Sequence, residues 1–131
     1  MRIVIPGKPM SANRMEGIRA IRTKTGKSFT QTYPTKDYKE FLERFKQATK
    51  FHSWTFEEKD KLKIDIWPFF SNKASDLDNV AKPSLDALQK VFDWNDKYAY
   101  ELHLIKMFAK RGEEQLIIEI NKIIEDVDEQ K

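Results

Sequence analysis

Asp76, Asp78 and Lys82 form the densest grouping of chemically useful side chains in this sequence, and Asp96 follows them after a short interval. Two carboxylates one residue apart, in extended or turn geometry, can bring two oxygens towards one divalent cation. Lys82 lies four residues beyond Asp78, one helical turn on, where its ammonium could meet a phosphate or the charge that develops on it. The polar turn Asp93-Trp94-Asn95-Asp96 offers a third carboxylate in Asp96, with Asp93 as its competitor. These residue types suit phosphodiester hydrolysis, in which a metal neutralises phosphoryl oxygens and activates a water. Each also has a plain structural reading. Asp and Asn are favoured helix N-caps, and Lys82 could pair at i, i+4 with Asp78 or Asp86. Asp86 itself reads as an orienting or ion-pairing residue.

The rest of the composition narrows the chemistry. Cysteine is absent, which removes disulfides, thiolate catalysis and nearly all structural zinc arrangements. His52 and His103 are too few and too far apart to suggest a histidine site. Any metal must then be held by oxygen, which points to magnesium, with manganese as the alternative. No G-x-S-x-G occurs, so a serine nucleophile lacks its setting.

The elements that must position these residues follow from periodicity. Arg2 to Ile5 is a β-branched run stopped by Pro6-Gly7 and predicts the first strand. Ile18–Arg22 and Ser28–Thr32 flank a flexible turn with Gly26, and predict a hairpin. Thr35 is a candidate N-cap for a helix whose Tyr38, Phe41, Leu42, Phe45 and Ala48 share one buried face, with Asp37 in the first turn. Residues 51–60 read as a connection. Lys61 to Ile66 alternates as a half-buried strand, which Pro68 should end or confine to a sheet edge. A second helix is expected from about Asp78 to Lys90, with Pro83 tolerable if it lies near the first turn. Residues 100–108 and 115–124, joined by Lys110-Arg111-Gly112-Glu113, read as an antiparallel hairpin, although 116–124 could be helical. Residues 125–131 read as a frayed acidic tail. Trp54, Trp67, Phe69, Phe70 and Trp94 are better assigned to core packing than to base stacking.

These elements describe an α+β fold: one domain over residues 1–131, a small mixed sheet covered by two helices, and a basic N-terminal loop and hairpin. A second helix of about twelve residues spans roughly 18 Å, so Asp96, beyond its far end, reaches Asp78 only if the chain doubles back or a second subunit supplies it.

Charge is unevenly placed. Residues 1–36 contain Arg2, Lys8, Arg14, Arg19, Arg22, Lys24, Lys27 and Lys36 against Glu16 alone, whereas the whole chain is only +3. A basic arm on a mildly acidic body fits a polyanion, because neutralising phosphates releases counterions. Lys8, Asn13, Arg14, Arg19, Arg22, Lys24 and Lys27 are the candidate DNA contacts, with Asn13 and Arg14 directed to phosphate rather than to base edges. No window approaches a membrane span and no signal-peptide core follows Met1, so a soluble, cytoplasmic protein is expected.

The block Ser75-Asp76-Leu77-Asp78-Asn79-Val80-Ala81-Lys82-Pro83-Ser84-Leu85-Asp86-Ala87-Leu88, followed by Asn95-Asp96 and Tyr100-Glu101-Leu102, resembles the signature of the RusA family of crossover junction endonucleases. The opening Ile3-Val4-Ile5-Pro6-Gly7-Lys8-Pro9 with Ser11, Asn13 and Arg14 is similar to the family's first strand and proline-rich loop. Family members often carry two acidic residues where this chain has Asn95-Asp96. The resemblance implies a homodimeric, magnesium-dependent endonuclease that binds four-way (Holliday) junctions and cuts paired strands. Asp76, Asp78 and Asp96 would then be metal-binding carboxylates and Lys82 the basic catalytic residue. Two other readings remain: a nuclease for other branched DNA such as flaps or forks, and a non-catalytic module that binds branched DNA.

Overall fold

The computed structural model describes residues 1–124, so the expected tail at 125–131 lies outside the described residues. Strand β1 (Arg2–Pro6) forms where Ile3, Val4 and Ile5 cluster, and Pro6 closes it. The basic stretch becomes the hairpin of β2 (Glu16–Arg22) and β3 (Ser28–Pro34), a two-stranded sheet of its own. Gly26, at φ +82, supplies the left-handed residue its turn needs.

Helix α1 (Lys36–Thr49) starts where the sequence predicts, with Thr35 Oγ1 accepting from the Tyr38 amide at 3.2 Å. Its buried stripe of Tyr38, Phe41 and Phe45 faces the core, and the Phe41 and Phe45 rings meet edge-on at 6.0 Å. Because Phe41 is fully buried, Phe41→Ala should cost about 3–5 kcal/mol in urea unfolding. A loss below about 1 kcal/mol would remove this contact from the core.

Strand β4 (Leu62–Phe70) follows. Helix α2 (Ala81–Phe92) comes next, entered through a 3-10 turn at Asp78–Val80. Pro83 is thus the third residue of α2, in the first turn, where its missing N–H breaks no helical bond. Asp93 ends α2 in the left-handed conformation at φ 53, a position Asp tolerates better than most residues. A 3-10 turn at Asp96–Tyr98 leads into β5 (Ala99–Leu104), β6 (Met107–Phe108) and β7 (Gln115–Lys122).

The main sheet runs β1-β7-β4-β5, with β6 continuing the β5 edge of β4. The expected hairpin of residues 100–108 with 115–124 does not form. β5 and β6 lie parallel to one side of β4, while β7 lies antiparallel to its other side and to β1. Residues 115–122 are strand, not helix.

Pro68 neither ends β4 nor confines it to an edge, because it pairs with Leu116 inside a central strand. The Ile66 and Phe70 carbonyls accept from Ile105 and Ala109 on the β5–β6 side, both at 2.9 Å. By the two-residue alternation Pro68 faces that same side, where the neighbouring strand is interrupted at Ile105 and Lys106. A proline therefore costs no ladder bond there.

Ile3, Ile5, Leu62, Ile64, Ile66, Leu116, Ile118 and Ile120 point to one face and join Phe41, Phe45, Val80 and Leu88 in the core. The opposite face carries Val4, Trp67 and Phe69, partly exposed, beside Ile117. Trp54 packs on Phe56, Phe92 and Trp94 at 5.0, 5.1 and 5.7 Å, which pins the 51–60 connection over the end of α2. Trp54 and Trp94 thus serve packing. Among the described residues no helix is long and apolar enough to cross a membrane.

Candidate active site

A cleft of about 620 Å³ opens where three segments converge. The loop after β1 contributes Lys8, Ser11, Asn13 and Arg14; α1 contributes Asp37, Glu40 and Arg44; the stretch from the end of β4 into the turn before α2 contributes Ser71, Asn72, Ser75, Asp76 and Asn79. Glu114, immediately before β7, also lines it. Asp76, the first acidic residue of the sequence block, therefore shares one cavity with Lys8 and Arg14 of the basic arm.

The loop after β1 owes its shape to α1. Arg44 Nη1 donates to the Pro6 carbonyl at 2.6 Å and Nη2 to the Lys8 carbonyl at 3.2 Å. Gly7 between them adopts φ +100, and a Cβ there would clash with Arg44 Nη1, so no larger residue fits without displacing the guanidinium. Burial lowers the Arg44 pKa while the nearby Glu40 charge opposes the shift.

Glu114 is buried beside the cleft. It accepts from the Ser71 hydroxyl at 2.8 Å and from the Gly112 amide at 2.6 Å, tying the end of β4 to the turn before β7. Its carboxyl titrates below the usual range because its own backbone amide, then Ser71, stabilise the anion. Desolvation opposes this, and Gly112 and the Lys8 charge add to it. A depressed carboxylate pKa contributes stability that is full above the unfolded value of about 4.3 and lost as pH falls through the lower folded value. Glu114→Gln should therefore lower the melting temperature at pH 7 and flatten the acid limb of a melting-temperature profile. An unaltered acid limb would contradict this role.

Asp76 and Asp78 are exposed, and neither carboxylate has a hydrogen-bond or ion-pair partner among the described residues. The capping explanation does not hold for them: neither the 3-10 turn at 78–80 nor α2 has a side-chain N-cap bond. Lys82 is likewise exposed and pairs with neither Asp78 nor Asp86, and Asp86 makes no ion pair among the described residues. Instead, Asp86 lines a shallow depression against the base of the hairpin, beside Lys90 and Tyr33.

Of the extended and turn geometries considered for Asp76 and Asp78, the turn forms. Leu77 already has helical dihedrals, φ −63 and ψ −42. Asp76 lines the cleft, whereas Asp78 and Lys82 are not among its lining residues.

Asp96 sits in its own 3-10 turn past the end of α2, where its amide reaches the Gln89 side chain at 3.5 Å. The chain thus doubles back to the last turn of the helix. Among the described residues no three His, Asp or Glu side chains are grouped closely enough to hold a metal between them. Asp93, the competitor of Asp96, is used as the left-handed end of α2.

Lys8, Asn13 and Arg14 stand at the cleft, whereas Arg19, Arg22, Lys24 and Lys27 stand on the projecting hairpin. Arg19 is held by Gln31 at 3.1 and 3.2 Å and lies over the Tyr33 ring. Sequence reasoning missed Glu40, Arg44, Asn72 and Glu114 as cleft residues and gave Asp37 only a helix-end role. Tertiary packing brings these residues to the cleft, and no local spacing announces them.

Among the described residues, then, the loop after β1 brings basic groups beside carboxylates and a lysine that have no side-chain partner. The family model for endodeoxyribonuclease RusA matches residues 6–121, nearly the whole chain. The chain belongs to the RusA endodeoxyribonuclease family, whose members are Holliday junction nucleases acting on branched DNA. A comparison with curated proteins gave no match.

Proposed function

We propose that this chain is a magnesium-dependent, structure-specific endonuclease that resolves four-way DNA junctions by paired strand hydrolysis. The supporting observation is that Asp76, Asp78 and Lys82 have no side-chain partner among the described residues, next to a cleft that also presents Lys8 and Arg14.

The donor set fits a hard cation. Magnesium is usually bound through one or two carboxylates, with water and substrate phosphate completing its shell, so a closed cage of three protein ligands is not required. Asp76 and Asp78 would hold it, with manganese as a substitute. Bound there, the ion supplies charge for the phosphoryl oxygens and a water acidic enough to attack at neutral pH. Lys8, Asn13 and Arg14 hold the phosphate backbone against the cleft, and Arg19, Arg22, Lys24 and Lys27 extend that contact along a neighbouring arm. Lys82 offsets charge that builds on the scissile phosphate. Asp96 adds a third carboxylate when a second protomer or closure of its turn brings it near.

A homodimer is part of this proposal, because two active sites related by a two-fold axis address symmetry-related strands of a junction. The sheet face carrying Val4 (45% exposed), Trp67 and Phe69 is free of the core-forming helix residues and offers apolar surface for such a contact.

Cleavage of labelled four-way junction, flap, fork and linear duplex under magnesium tests the reading. Paired nicks in the junction with the duplex spared are expected. Equal cutting of flaps and forks would move the substrate to branched DNA in general. Binding without nicking under any divalent metal would instead make the chain a non-catalytic binder of branched DNA.

A further inference from the structure

Lys106 lies in the interruption between β5 and β6, beside the part of β4 that carries Pro68. From there its ammonium reaches the loop that follows β4. Nζ donates to the Ser75 carbonyl at 2.6 Å and to the Lys73 carbonyl at 3.0 Å. The same ammonium sits over the Phe70 and Phe108 rings, 5.7 and 5.8 Å from their centroids. An ammonium has three N–H donors, and two are spent on carbonyls two residues apart in this one loop.

The loop is fastened at two further points. Asn72 Oδ1 accepts from the Ala74 and Ser75 amides, both at 3.0 Å, and from Ser75 Oγ at 2.9 Å. Ser71 donates to Glu114. The fastened segment runs from Ser71 to Ser75 and stops immediately before Asp76, whose own carboxylate is left free.

We infer that Lys106 is a positioning residue for Asp76, acting by fixing the carbonyl of the residue that precedes it. The inference rests on the nuclease reading of Asp76. A site that must hold a ligand to about 0.5 Å needs its supporting shell locked, and the 71–75 loop has no strand ladder to lock it. Lys106 contrasts with Lys82, which is exposed and has no partner among the described residues. Lys106 is half-buried, with its donors directed at backbone carbonyls.

Lys106→Met keeps the stem and removes the donors. The magnesium concentration for half-maximal junction cleavage should rise about tenfold to a hundredfold, the usual cost of losing a supporting contact behind a metal ligand. Junction affinity in EDTA should stay within about twofold, since the phosphate-binding side chains are untouched. Mn²⁺ affinity measured by calorimetry should fall in parallel, and Lys106→Arg, which retains charge and donors, should recover most of the loss. Asn72→Ala attacks the same loop independently and should shift the magnesium midpoint in the same direction; it decides the matter if Lys106→Met does not fold.

A midpoint within twofold of wild type in the folded variants overturns the inference. So does a loss confined to junction affinity in EDTA, which would make Lys106 a DNA contact. A wild-type chain that neither binds Mn²⁺ nor cuts any branched DNA overturns the nuclease reading and this inference with it. Normal wild-type cleavage with an unshifted variant overturns this inference alone.

Discussion

Asparagine in place of Asp76 or of Asp78 is expected to reduce magnesium-dependent junction cleavage by on the order of a thousandfold or more while leaving junction binding within about twofold. The substitution keeps the shape of the side chain and removes its charge. Neither carboxylate has a folding role that would be lost, because neither caps a helix nor pairs with a cation among the described residues. The two variants also separate the two positions. Asp76 lines the cleft and Asp78 does not, so a much milder effect at 78 would make Asp76 the principal ligand and Asp78 an outer support. Gel-shift titration in EDTA and single-turnover cleavage in magnesium check both. Full activity in either variant removes that residue from the mechanism.

Lys82→Met should lower the single-turnover rate at saturating protein by about a hundredfold to a thousandfold with little change in junction affinity. The reasoning is that Lys82 is exposed, makes no ion pair among the described residues, and follows Asp78 by one helical turn. A lysine used mainly to bind the ground-state backbone would behave differently. Its loss would weaken binding and reduce the salt dependence of affinity by about one unit of slope, with the bound rate intact. Measuring rate and salt slope on one preparation tells these apart, and a changed slope with an unchanged rate contradicts the catalytic role.

What the sequence revealed and what it hid divide along a physical line. Thr35, the α1 stripe and the Gly26 turn were legible because helix caps, 3.6-residue periodicity and left-handed turns are local properties. The acidic block was legible for the same reason: its residues are neighbours in the chain.

Strand partnership was not legible. The runs at 100–108 and 115–124 read as a hairpin since a turn joins them, but β4 lies between them and pairs with both, a choice made by burial of its alternating face. Pro68 misled in the same way, because its tolerance depends on an interruption in a strand some forty residues away in the chain.

The supporting side chains were the least visible. Arg44 acts on residues 38 and 36 positions earlier, Lys106 on residues 33 and 31 positions earlier, and Glu114 on a residue 43 positions earlier. No periodicity links such partners, so only the folded chain displays them. Helix length left open whether the chain doubles back after α2, and the contact of the Asp96 amide with Gln89 is another that only the folded chain displays.

An anomalous difference map from crystals soaked in manganese, with and without junction DNA, bears most directly on the whole account. A peak bonded to the carboxylate oxygens of Asp76 or Asp78, on the side open to the Lys8 and Arg14 cleft, is the predicted result. Manganese bound elsewhere, with both of those carboxylates unliganded in the DNA complex as well, would contradict it.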